Sequence, residues 1–189
     1  MKLPIIAYGD PVLKKVAQDI PSDYPNLNEL IANMFETMYA AHGVGIAAPQ
    51  VGLSLRLFVI DATPFAEDES ELKDFKKIFI NAQILEESGD KWAFNEGCLS
   101  IPDIREDVSR QQTLTISYYD ENFVHHEETY SGLAARIIQH EYDHIDGKLF
   151  TDKLSPLRRA MLKSRLDAIS KGNVKVDYKM RFPAQKRGR

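Results

Sequence analysis

The sequence predicts an α+β fold in which mainly antiparallel strands pack around a central helix carrying an H-E-x-x-H motif, with a further helix at the C-terminal side. Three observations lead there. Apolar residues recur at three- and four-residue spacing near residues 27–38, 133–144 and 157–169, which marks three amphipathic helices. Between the first helix and the later two, the period shortens to runs rich in β-branched and aromatic residues, bounded by Gly, Asp and Asn. Those runs are grouped between the helices and do not alternate with them, and no segment repeats, so antiparallel pairing is expected.

Taken in order, Asp10-Pro11 joins an N-cap residue to a proline at the first helical position and predicts a short helix through about Val16. Asn26 with Glu29 resembles a capping box, and Leu27, Leu30, Ile31, Met34, Phe35 and Met38 supply the apolar face of the helix it opens. Gly43 is placed to end that helix. Strands are predicted over Leu55 to Asp61, Lys77 to Ala82, Thr113 to Tyr119 and Phe123 to Tyr130, with Asp120-Glu121-Asn122 turning a hairpin between the last two. The acidic stretch around Glu67-Asp68-Glu69-Ser70-Glu71 has no apolar periodicity and reads as an exposed, mobile loop. Ser131 is positioned to cap the central helix, which Gly147 stops; Leu133, Ile137, His140 and His144 share one stripe of it. The last helix has Ser155 as cap, Pro156 at its first position and Gly172 as terminator.

A chain of 189 residues with 43% hydrophobic content can bury one substantial core. The expected organisation is a single catalytic domain over residues 1–172, followed by a basic tail over 173–189. The first residues lack the apolar run of a signal peptide, and no stretch has the ~18 apolar residues of a membrane helix, so a cytoplasmic protein with no membrane partner is expected. Charge is uneven: Lys153 to Arg189 holds 12 of the 24 basic residues and only Asp167 and Asp177 on the acidic side. That excess permits a polyanionic partner for the C-terminal region, or simply a solvated tail. A single cysteine excludes an internal disulfide and leaves Cys98 as a buried small residue, a reactive thiol or a metal ligand.

The sharpest motif is His140-Glu141-Tyr142-Asp143-His144. Histidines four apart on a helix project from one face and can reach one ion, while Glu141 leans toward the place where a water would sit. Two histidines leave a catalytic site incomplete, since such sites generally use three protein ligands and one open position. A metzincin would place a third histidine where this chain has Phe150, and no glutamate follows Glu141. Asp143, Asp146, Asp152 and Asp167 remain competitors, and Cys98, flanked by Gly97, is the soft-ligand candidate. Gly43 to Gln50 reads as a loop and buried turn ending in one long amide side chain.

Together, GVGIAAPQ at 43–50, EGCLS at 96–100 and QHEYDH at 139–144 resemble the three ordered motifs of the peptide deformylase family. The resemblance runs from about Pro4 to Ile169 and includes the C-terminal helix of one branch of that family. It implies that Cys98, His140 and His144 bind Fe2+, replaceable by Zn2+, Ni2+ or Co2+, with a water in the fourth position. It further implies that Glu141 moves protons, and that the Gln50 amide and the Leu99 backbone N–H stabilise the oxyanion. The implied substrate is an N-formylmethionyl nascent peptide, deformylated with release of formate during N-terminal processing of newly made proteins. Val44, Glu96, Arg105, Leu133 and Ile137 would border the methionine pocket, and the backbone near Gly45 and Gly97 would hold the peptide. Two other readings compete, an H-E-x-x-H endo- or aminopeptidase and a structural metal site in a binding module. The basic C-terminal region could dock on ribosomal RNA; no DNA partner is expected.

Overall fold

The structure, a computed structural model, describes residues 1–183. In chain order it contains β1 (Ile5–Ile6), α1 (Leu27–Ala40), β2 (Gly45–Ala47), β3 (Leu57–Asp61), β4 (Lys76–Cys98), β5 (Ile101–Tyr119), β6 (His125–Ser131), α2 (Gly132–Ile145), α3 (Pro156–Ser170) and β7 (Met180–Arg181). Strands β2 to β6 form one antiparallel sheet in chain order, and β1 pairs with β7 in parallel. This is the predicted α+β architecture.

The five residues of β3 are all buried, and their alternation explains why an unbroken apolar run sits in an antiparallel sheet. Phe58 and Ile60 face α2, packing with Phe79, Leu114, Ile116, Ala135 and Ile138. Leu57 and Val59 face α1, with Met34, Met38, Ile46 and Ile80. Both faces of the strand are therefore covered, and each large side chain so buried contributes about 1.5–3 kcal/mol. A third cluster under α3 joins Leu162, Leu166 and Ile169 to Ile6, Leu13, Ile101 and Phe150. No helix among the described residues is long and apolar enough to cross a membrane.

Several local expectations change. The strands predicted at 77–82 and 113–119 are only the buried ends of strands 23 and 19 residues long. Their middle parts form an exposed ribbon with register shifts between Ile84 and Glu86 and between Ser88 and Lys91; its polar composition hides it from an apolar pattern. The capping box at Asn26 is not formed: Asn26 is left-handed, with φ 56°, and its side chain makes no cap hydrogen bond. Ser131 occupies the N-cap position of α2 as predicted, but its side chain makes no cap hydrogen bond: the residue also ends β6, and its hydroxyl pairs with that of Thr113 at 3.1 Å. Asp10 and Ser155 cap as predicted, accepting from the N–H groups of Val12 and Arg158, although the helical turn after Asp10 spans only Pro11–Lys14. The acidic loop is exposed at Glu67 and Asp68, but Leu72 and Phe75 anchor its far end in the core. Gly147 ends α2 with φ +71°, and a Cβ there would lie 2.7 Å from the Lys14 carbonyl oxygen, so the position admits only glycine without a shift.

Residues 173–183, the first part of the predicted basic tail, are packed on the domain. They return to the body, where the Ile5 N–H donates to Lys179 O at 2.8 Å and the Ala7 N–H to Arg181 O at 2.9 Å. Residues 184–189, the rest of that predicted tail, lie outside the described residues.

Candidate active site

Two elements deliver the metal-capable side chains. Helix α2 presents His140 and His144 one turn apart, and the end of β4 brings Cys98 in from the other side, where it is paired with Ile101. The three candidate ligand atoms lie within 4.8 Å of one another, with Cys98 Sγ 3.4 Å from His144 Nε2. This is the one group of its kind among the described residues. The competing aspartates are otherwise engaged: Asp143 with Arg110, Asp146 with Arg56, Asp152 with Lys14 and Asp167 with Lys163.

A buried charge network fixes the helix-borne candidate ligand His140. Glu96, 4% exposed, accepts from His140 Nδ1 at 2.8 Å, which leaves Nε2 for the site. The same carboxylate accepts from Arg110 Nε at 2.7 Å and from Arg136 Nη1 at 2.7 Å, and Arg110 continues to Asp143 at 2.8 Å. Burial alone pushes the Glu96 carboxyl up, but the hydrogen bonds from His140 and Arg110 outweigh it and hold it well below the usual range. Neither arginine was singled out from the sequence. An arginine at 136, amid the buried Ala135, Ile137 and Ile138, was the available signal, since a charge there requires a buried partner.

Glu141 is 4% exposed, and its Oε2 has no hydrogen-bond partner. Burial pushes its pKa up to about 7; His140 opposes that shift and Glu96 adds to it. Gly45 makes room for it: a Cβ there would stand 2.7 Å from Glu141 Cδ. The Gln50 amide is oriented from behind, because the Ala47 N–H donates to Oε1 at 2.9 Å. Its NH2 group must then face the site, 3.4 Å from Cys98 Sγ and 3.3 Å from Ser100 Oγ.

The donor set fits a divalent cation. One sulfur and two imidazoles converge, one imidazole is locked by a carboxylate behind it, and an unpartnered buried carboxylate lies beside them.

A cavity of about 840 Å³ opens onto this group. Val44, Gly45, Gln50, Glu96, Gly97, Cys98, Leu99, Arg105, Leu133, Ile137, His140 and Glu141 all line it, whereas His144, 1% exposed, lies behind its wall. The Glu96 carboxylate is spent on His140 and the arginines. Arg105 lies over Gly97 and bonds to Asn95 through Nε at 2.8 Å and Nη2 at 2.7 Å, so it belongs to the rim. Sequence reasoning missed Phe65 and Phe94 among the lining residues, and also Lys175 to Tyr178, which wall the cavity from the C-terminal segment.

The polypeptide deformylase family model matches residues 2–160. A peptide deformylase of Christiangramia forsetii is 64% identical, with 100% of both chains covered, and one of Flavobacterium johnsoniae is 58% identical over the same shares. Among solved structures, a peptide deformylase from Legionella pneumophila superposes with a TM-score of 0.80 at 39% identity, covering 92% of this chain and 98% of that one. Fold, metal-capable cluster and sequence agree, and the chain belongs to the polypeptide deformylase family of metal-dependent hydrolases.

Proposed function

We propose that this chain is a single catalytic unit that hydrolyses the N-formyl group of N-terminal methionine on newly made polypeptides, giving formate and a free amine, with Glu141 carrying the protons. The observation that carries this reading is the convergence of Cys98, His140 and His144 beside the unpartnered Glu141 carboxylate. Those three residues would hold one divalent cation, Fe2+ by the family resemblance, with Zn2+, Ni2+ or Co2+ as replacements. Bound there, the cation supplies Lewis acidity and brings the pKa of a water toward neutrality.

The protein's own groups do the rest. Glu141 takes a proton from the attacking water and returns it to the departing amine nitrogen, a role suited to a carboxyl that burial has raised toward neutral pH. Gln50 Nε2 and the Leu99 backbone N–H donate to the oxygen that becomes negative as the carbonyl carbon turns tetrahedral. The methionine side chain enters the apolar part of the cavity among Val44, Leu133 and Ile137, with Glu96 and Arg105 at its border. Backbone near Gly45 and Gly97 holds the peptide. A closely packed site made by Gly45, Gln50 and Leu99 would admit a formyl hydrogen and exclude an acetyl methyl.

Formate release from formyl-Met peptides, measured beside metal analysis on one sample, tests the whole reading. Cleavage of unformylated peptides instead would favour a general H-E-x-x-H peptidase. Replacement of Glu141 by Ala should leave the metal bound and lower kcat by ~10²–10⁴-fold; near-normal turnover removes Glu141 from proton transfer. Replacement of Cys98 by Ala should lose metal in the same analysis.

The basic C-terminal region is the proposed contact with ribosomal RNA, consistent with work in the cytoplasm on nascent chains. With 173–183 folded back, the exposed charge of this region includes Arg159 and Lys171 on or beside α3. Co-sedimentation with ribosomes should weaken as salt rises, and binding insensitive to salt would contradict it.

A further inference from the structure

The two ends of the described chain meet beside the catalytic hairpin. Cys98 and Ile101 are cross-strand partners, so Leu99 and Ser100 form the two-residue turn between β4 and β5. Both carbonyls of that turn are held from outside the hairpin. Ser100 O accepts from the Tyr8 N–H at 2.9 Å, and Leu99 O accepts from the Tyr178 hydroxyl at 2.8 Å. Tyr8 lies just after β1 and Tyr178 just before β7, so the two donors issue from one parallel ribbon. Ile5, Ile6 and Ala7 anchor that ribbon in the core, at 1%, 0% and 0% exposed. Leu99 is held at its side chain as well, for a Cβ on Gly43 would stand 2.8 Å from Leu99 Cδ1. Across the cavity mouth, the neighbouring Asp177 reaches His42 at 3.3 Å.

A hairpin turn is ordinarily the loosest part of its strands. Here it directly follows the sulfur ligand and includes the residue whose N–H serves the reaction, and it has been fastened on both carbonyls. We propose that the β1–β7 ribbon is a clamp on the Leu99–Ser100 turn, and that Tyr178 is a positioning residue for deformylation: by holding the Leu99–Ser100 peptide at its carbonyl it fixes the Leu99 backbone, and with it the direction of the Leu99 N–H in the preceding peptide. The proposal rests on the role given to Leu99 above. The Tyr178 hydroxyl donates to Leu99 O and not to a proposed ligand; it acts through that carbonyl.

Full-length, zinc-loaded Tyr178→Phe keeps the ring and removes only the hydroxyl. Its kcat should fall about 3- to 10-fold, the factor one net hydrogen bond carries. KM should stay within about twofold and metal content should match the parent, because substrate binding and the ligands are left in place. Amide hydrogen exchange read by NMR should accelerate at Tyr8, whose N–H is bonded to the turn at Ser100 O, with α2 unchanged. Tyr178→Ala, which also removes part of the cavity wall, should raise KM in addition. Unchanged exchange at Tyr8 in Tyr178→Phe overturns the clamp. A fall in activity that tracks lost metal also overturns it, since the residue would then serve only to assemble the site. Faster exchange with unchanged kcat overturns the positioning role and places the fault in the part assigned to Leu99.

Discussion

Gly45 shows how closely the reacting groups are fitted. Its missing side chain is the space Glu141 occupies, so Gly45→Ala should displace the carboxylate and lower kcat by up to ~10²-fold, the loss a misplacement of about 1 Å can produce. Metal content should be retained; full activity in the alanine variant would show that Glu141 has room to spare. The proposed ligands respond to pH as well. In metal-free protein, burial pushes His140 down, but the hydrogen bonds with Cys98 and Glu96 prevail and raise it to about 10. Cation uptake requires the neutral ring, so loading at neutral pH should release protons, and affinity should weaken as pH falls. Titration calorimetry in buffers of different ionisation enthalpy counts them, and zero release at pH 7 would contradict the assignment. At this scale the sequence was readable where chemistry imposes a spacing, as for His140, Glu141 and His144. It was silent on Arg110, whose partner Glu96 is 14 residues away across a ribbon whose length the apolar pattern did not reveal.

Helix α2 is the element on which the site depends, and the network behind it sets its position. Glu96, Arg110 and Arg136 are 4%, 5% and 2% exposed, so removing one partner strands a charge in the interior. Arg110→Ala should reduce unfolding free energy by about 3–5 kcal/mol in denaturant titration, the usual effect of breaking a buried pair. A change near zero would mean that Arg136 alone satisfies Glu96. The helix was legible from its apolar stripe and from Gly147. Ser131 stands at its N-cap position as predicted, but hydroxyl side chains serve strand ends as readily as helix ends, and here the hydroxyl pairs with Thr113 and makes no cap hydrogen bond. The β4–β5 ribbon escaped for a related reason: a two-stranded ribbon with much exposed surface needs no apolar alternation, so the apolar pattern assigned its residues to no element.

For the molecule as a whole, the C-terminal segment teaches the most. Val174, Val176, Tyr178, Met180 and Phe182 alternate with exposed polar residues up to Arg181, a strand-like period that the high density of basic residues obscured. Charge described the exposed face, and the other face held the packing. The three apolar clusters lie around the site without depending on it. Chelator-treated protein should therefore keep its far-UV circular dichroism while its melting midpoint drops, as expected when a ligand of the native state alone is withdrawn. Collapse of the spectrum would show that the cation organises the fold.

The pairing of Ile5 with Met180 also has a consequence for biosynthesis. A growing polypeptide presents every metal ligand once His144 has left the ribosomal tunnel, but residue 5 must wait for residue 180 before the ribbon can close. The turn's support thus arrives well after the proposed ligands have been made, and a chain stalled before Tyr178 would hold all three of them beside an unfastened turn.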